Sequence, residues 1–143
     1  MTVKLILERK GYDVFSTSPE TSLADAVTLL ARHKIGAVVV CDEGHAVRGI
    51  LSERDVVRAI AANGADALWK PISEIMTVKV SVCDESHTIN QVMETMTRGR
   101  FRHMPVEKDG RLHGIVSIGD VVKLRIEEVE RESEEIRTYI ATA

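Results

Sequence analysis

Apolar residues recur along this chain in two rhythms. Leu23, Ala26, Val27 and Leu30 fall three and four apart, as do Ile89, Val92, Met93 and Met96, so each set lines one face of a helix. Each helix pattern is preceded by a short extended segment, Val14–Thr17 or Val80–Cys83. Each is followed by a Val-rich run, Ala37–Cys41 or His103–Val106, of the kind found in buried strands. A turn at Asp42-Glu43-Gly44 or Asp109-Gly110 then leads into Val47–Leu51 or Leu112–Val116, and Asp-Gly is a strong hairpin signal. A further helix starts at Ser52 or Ser117. Ser22-x-x-Asp25 predicts a capping box at the first helix start. The order is β-α-β-β-α, twice.

The duplication is visible in the letters themselves. GILSERDVVR from Gly49 lies over GIVSIGDVVK from Gly114, an offset of 65, with six of ten positions identical. HKIGAVVV lies over GRFRHMPV, and SPETSLADAVTLL over CDESHTINQVMETM with one inserted residue. A unit of roughly 45 residues cannot bury enough surface alone, so the two copies must share a fold. The predicted class is α+β, two β-α-β-β-α units packed about a pseudo-two-fold axis with a long C-terminal helix. The expected divisions are an N-terminal helix over 1–11, units over 12–62 and 73–126, and a helical extension over 127–143. Asn-Gly and Lys-Pro punctuate the linker 63–73.

Composition narrows the function. The 143 residues carry a net charge of −3 and 3% aromatics, which argues against duplex binding and against a stacking platform for single strands. Nucleic acid is not expected. Cys41 and Cys83 stand far apart without a CxxC pair, the N-terminal apolar run is only Leu5–Leu7, and no run approaches the ~18 residues of a membrane span. These features predict a cytoplasmic protein without membrane contact. The five histidines have no metal spacing, and no Gly-x-Ser-x-Gly, Walker A or Gly-x-Gly-x-x-Gly pattern is present. Neither a metal nor an enzymatic activity is expected.

The residues with chemical promise are Ser52…Asp55 and Ser117…Asp120, each at a strand-to-helix junction. Two readings stand. The spacing is that of a capping box. The same corner also offers free amides and a hydroxyl to a phosphate, and a carboxylate to a ribose diol. Cations lie nearby: Arg54 inside the first motif, Arg98, Arg100, Arg102 and His103 in RGRFRH, and Arg32, His33 and Lys34 at the matching helix end. Helix C-termini favour such cations in any protein, but Arg102 and His103 run into an apolar strand where an unpaired charge is costly.

GILSERD and GIVSIGD, together with SPETSLADAV, RFRHMPV and IMTVKVSV, resemble the CBS domain in its tandem arrangement, the Bateman module, over residues 12–126. The resemblance implies a regulatory cleft for adenosine-containing ligands: AMP first, with ATP, ADP, NAD(H) or S-adenosylmethionine as alternatives. It implies one site of Ser18, Leu23, Ile35, Gly36, Ala37, Arg102, His103, Ile115, Ser117 and Asp120. The other comprises Cys83, Ile89, Phe101, Arg102, Ile50, Ser52, Arg54 and Asp55. In both, the aspartate holds ribose and the serine and basic groups meet phosphate. Cys83-Asp84 replaces the family's Thr/Ser-Pro, and Gly119 stands where the first copy has Arg54. Equal affinity at the two sites therefore does not follow.

Beyond the repeat, Val122, Ile126, Val129, Ser133, Ile136 and Ile140 are spaced 4-3-4-3-4, a heptad-like stripe, and residues 127–137 carry six Glu against two Arg. The stripe either packs on its own domain, against Val3, Ile6 and Leu7, or joins a second chain, since similar modules commonly form homodimers. An effector protein is also implied, of unknown identity. A purely structural interaction module with empty clefts is the competing reading.

Overall fold

The computed structural model describes residues 1–142. Helix α1 (Val3–Lys10) precedes the first unit, which runs β1 (Ser16–Thr17), α2 (Leu23–His33), β2 (Ala37–Cys41), β3 (Val47–Ser52) and α3 (Glu53–Asn63). Two short 3-10 turns, Gly64–Trp69 and Ile72–Glu74, form the linker. The second unit contains α4 (Ile89–Gly99), β4 (His103–Lys108), β5 (Arg111–Ser117) and α5 (Ile118–Thr142). The first sheet has the order β1-β2-β3, with β1 parallel and β3 antiparallel to β2. In the second, β4 pairs antiparallel with β5. The extended segment expected at Val80–Cys83 contributes one parallel bridge, Cys83 to Val106, rather than a strand.

Local chemistry explains the boundaries. Ser52 caps α3 in a reciprocal box with Asp55, and Thr88 caps α4 in another with Gln91. At α2, Ser22 accepts from the Asp25 amide, which is half of the box expected there. Asp109 and Gly110 both take positive φ, 55° and 74°, the geometry that lets a two-residue hairpin follow the twist of its strands.

The core divides into three clusters. Leu23, Ala26, Leu30, Val38, Val40 and Leu51 fill the first unit, and Met96, Met104, Val106, Val116, Val121 and Leu124 the second. Val39, Cys41 and Leu112 lie buried where the units meet. The lead-in segments cross over. Helix α1, which precedes unit one, puts Val3, Ile6 and Leu7 into the core of unit two. The linker, which precedes unit two, puts Ala67 and Ile72 into the core of unit one.

Helix α5 buries Val121 and Leu124, whereas Val122, Ile126, Val129, Ile136 and Ile140 of the heptad-like stripe are exposed. The reading in which this stripe packs on its own domain is thereby corrected. Val3, Ile6 and Leu7 are satisfied by the other face of the helix, and nothing in the chain covers the stripe among the described residues.

Candidate functional site

The two Ser-x-x-Asp junctions form two corners related by the repeat. Each sits where the second strand of a hairpin turns into a helix, opposite the first residue of its partner strand: Ser52 pairs with Ala37, and Ser117 with His103. The junctions are pinned alike, by Glu53 N–H to the Gly36 carbonyl at 3.0 Å and Ile118 N–H to the Arg102 carbonyl at 2.8 Å. The units meet here. A Cβ added at Gly36 would lie 3.5 Å from His103 Cε1 and 3.7 Å from Glu53 Cδ, so Gly36 leaves room for the other unit's imidazole. Across the cleft, Arg54 Nη1 donates to the Arg100 carbonyl at 3.2 Å.

At the first corner the Asp55 carboxylate is internally engaged. Oδ2 accepts from the Ser52 amide at 2.9 Å and the Ser52 hydroxyl at 3.1 Å, and Oδ1 accepts from the Thr77 hydroxyl at 3.1 Å. Arg58 stands 3.9 Å away, and Asp55 is only 5% exposed. Thr77 is held there because Met76–Thr77 lies across Gly49–Ile50. Ile50 and Thr77 exchange two backbone hydrogen bonds, at 3.0 and 2.9 Å.

The second corner has the same plan with different chemistry. Asp120 Oδ2 accepts from the Ser117 amide at 2.9 Å and from Lys10 Nζ at 2.8 Å, and Lys10 also donates to the Ile115 carbonyl at 3.1 Å. Here α1 lies over Gly114–Ile115, where an added Cβ would meet Leu7 at 2.9 Å. The Asp120 side chain keeps 25% of its surface. Burial opposes its charge, but the hydrogen bonds from Lys10 and the Ser117 amide outweigh that and hold the carboxyl below the ordinary aspartate range. The His103 imidazole is pushed below its usual value, first by burial and then by the Lys10 and Arg102 charges, with Asp120 and Glu53 opposing. This corner thus presents an ionised carboxylate, an ammonium and a neutral imidazole.

Of the residues implied by the resemblance, His103, Ile115, Ser117 and Asp120 meet at the second corner, Ala37, Ile50, Ser52 and Asp55 lie at the first, and Gly36 lies between His103 and Glu53. Leu23, Cys83 and Ile89 are buried in the two cores, and Ile35 packs against the first. Phe101 lies over Gly99, whose added Cβ would come within 2.3 Å of its ring, and packs on the second core. Exposed Ser18 shares a 3.2 Å hydrogen bond with Thr21, and Arg102 is exposed beside His103. Lys10, Thr77 and Glu53 were not expected at these corners. Thr77 lies within IMTVKVSV and Glu53 within Ser-x-x-Asp, but Lys10 carries no motif at all. Among the described residues, one concavity runs along α5, lined by Glu130, Ser133 and Arg137, and another lies beside α4, lined by Asn90, Met93 and Thr97. No group of three or more metal-ligating side chains occurs among the described residues, and no helix among them is long and apolar enough to cross a membrane.

Comparison with known proteins places this geometry. The sequence profile of the CBS domain matches residues 9–62 and 72–127. The chain is similar to the mitochondrial CBS domain-containing protein CBSX3 of Arabidopsis thaliana, at 34% identity over 97% of this chain and 71% of that one. It resembles the crystal structure of the CBS-domain protein ATU1752 from Agrobacterium tumefaciens at 52% identity and a TM-score of 0.84, covering 87% of this chain and 99% of that one. It also resembles the CBS domain pair of MJ0100, solved with 5′-methylthioadenosine and S-adenosyl-L-methionine, at 28% identity and a TM-score of 0.79, covering 90% of this chain and 98% of that one. Two copies of one motif, each with its Ser-x-x-Asp corner and joined through a shared interface, make the chain a tandem pair in the CBS-domain family.

Proposed function

We propose that this CBS pair is a regulatory sensor that binds an adenosine-containing ligand, AMP foremost, in the cleft between its units. The carrying observation is the pair of Ser-x-x-Asp corners, where a carboxylate at a helix start is flanked by a serine hydroxyl and a nearby cation, Arg58 at the first and Lys10 at the second. A carboxylate of this kind accepts from a ribose diol, while the helix start and cations suit phosphate. The adenosyl compounds bound by the MJ0100 pair support the ligand class. An adenine would rest against aliphatic and backbone surface, because the chain has few rings to offer. The module signals by a change in how its units meet, read by an effector protein in the cytoplasm, and it carries out no reaction of its own.

The exposed stripe of α5, and separately the exposed Val57 and Ile60 of α3, support self-association into a homodimer. Titration calorimetry with AMP, ADP, ATP, NAD(H) and S-adenosylmethionine tests the ligand reading. Micromolar binding of AMP is expected, and the absence of heat with every one of these compounds would refute it. Tight binding of NAD(H) with none of AMP would move the assignment to a dinucleotide spanning both corners.

A further inference from the structure

The two corners are built on one plan but closed by chemically different groups, and neither closing group belongs to the repeated motif. Over Gly49–Ile50 lies the Met76–Thr77 segment that follows the linker, and the Thr77 hydroxyl donates to Asp55 Oδ1. Over Gly114–Ile115 lies α1, whose Lys10 ammonium takes Asp120 Oδ2. The consequences for a ligand diverge. Asp55 has donors on both oxygens and almost no exposed surface, so a diol must displace a hydroxyl that is itself held by a two-bond backbone pair. At Asp120 both internal donors fall on Oδ2, and Oδ1 accepts none from the described residues. That oxygen is left to an incoming hydroxyl.

Lys10 differs from Thr77 in charge as well as position. An ammonium has three hydrogens to donate. Two go to Asp120 Oδ2 and the Ile115 carbonyl, and the third is unassigned on a side chain that remains 34% exposed. The repeat position that supplies a cation at the first corner, Arg54, is Gly119 at the second, so the second corner's own motif has no charge to offer a phosphate. Arg54 itself is directed across the cleft to the Arg100 carbonyl. Lys10 therefore stands in for the missing cation from outside the Ser-x-x-Asp motif.

Resting on the adenosyl reading above, we propose that the Asp120 corner is the single nucleotide site of this chain and that Lys10 is its phosphate-selecting residue. In the empty protein the ammonium neutralises Asp120. When ligand enters, the ribose hydroxyls take over on the carboxylate, and the ammonium turns to the 5′-phosphate. Because Lys10 ends α1, which packs on unit two, and Gly11 leads from it into unit one, the same movement pulls on a segment that passes from one unit to the other.

Calorimetry on the full chain with AMP and with adenosine tests this. One AMP per chain is expected, with binding lost in Asp120→Asn and kept within threefold in Asp55→Asn. For Lys10→Met the ratio of AMP to adenosine affinity falls about tenfold, the loss of one charge-assisted hydrogen bond worth about 1.4 kcal/mol. Lys10→Arg keeps that ratio. Thermal melts verify that each variant is folded. Two AMP per chain, or loss in Asp55→Asn with retention in Asp120→Asn, overturns the single-site assignment while leaving the adenosyl reading intact. An unchanged ratio in Lys10→Met overturns the role of Lys10. Failure of wild type to bind any adenine nucleotide overturns the adenosyl reading itself.

Discussion

Replacing Gly49 by alanine places one methyl group into the tightest backbone approach at the first corner. The new Cβ would lie 2.7 Å from Met76 Sδ and 2.8 Å from the Thr77 carbonyl oxygen. The sulfur sits on a flexible side chain and can swing away, but the carbonyl is backbone. Moving it lengthens the reciprocal pair between Ile50 and Thr77, 3.0 and 2.9 Å, and withdraws the Thr77 hydroxyl from Asp55. Two backbone hydrogen bonds at about 1 kcal/mol each, and one to a buried carboxylate at about 1.5 kcal/mol, amount to about 3.5 kcal/mol. Alanine recovers about 0.5–1 kcal/mol by restricting the unfolded chain. The net loss is about 2.5–3 kcal/mol, a fall in Tm of about 10 °C for a chain of this size. Urea unfolding followed by circular dichroism measures it, with a lower midpoint at unchanged slope expected. Gly119→Ala is the control. Its Cβ would meet nothing closer than Ser117 Oγ at 3.6 Å, and alanine is the better helix former by about 1 kcal/mol, so it should hold or raise stability. If Gly49→Ala unfolds within 0.5 kcal/mol of wild type, the Met76–Thr77 segment does not clamp the first corner as described.

Three further outcomes are expected. Burial pushes the Cys83 thiol up to about 12, and Cys41 is also raised by burial, so neither should react with a thiol reagent until the protein unfolds; prompt labelling of the native protein at pH 7.5 would contradict this packing. Folding holds His103 below its ordinary 6.5 and so favours the neutral imidazole, and it holds Asp120 below 3.8 and so favours the carboxylate. Both contributions are full above those ordinary values and are lost as pH falls toward the folded ones, so stability should decline first below about pH 6.5 and again below about pH 4, with His103→Gln flattening the upper step in a pH series of urea melts. Ile126→Glu places a charge in the middle of the exposed α5 stripe and should shift sedimentation from dimer to monomer at micromolar concentration without lowering the Tm of the monomer. A dimer that survives this change does not use the stripe.

The repeat made most of the architecture legible. Helices α2 and α4, the β2–β3 and β4–β5 hairpins and the two junctions follow from apolar spacing, Asp-Gly chemistry and Ser-x-x-Asp, all of which act over a few residues. What escaped depends on long-range contact. Val80–Cys83 carries the alternation of a strand, yet Cys83 alone bridges to Val106, because pairing depends on a neighbour that periodicity does not reveal. The role of Lys10 arises from a contact 110 positions along the chain, and nothing in LERKG announces it. Leu23 and Ile89 mark helix starts in the pattern, but their depth in the two cores comes from packing that the pattern does not contain. The α5 stripe was visible as a stripe, whereas its direction depended on Val121 and Leu124 taking the inward face.

The exchange of lead-in segments has a consequence for biosynthesis. Val3, Ile6 and Leu7 are made more than a hundred residues before the strand and helix they cover, around Gly114, Val121 and Leu124. At about 5–20 residues per second, the ribosome needs about 5–20 s to bring that partner surface out after the apolar face of α1 appears. Unit one can assemble its sheet during this interval, but its own cover, Ala67 and Ile72, arrives only with the linker. The nascent chain therefore carries an unsheltered amphipathic segment throughout that interval. Closure of the second unit onto that waiting helix is the step that completes both halves of the molecule.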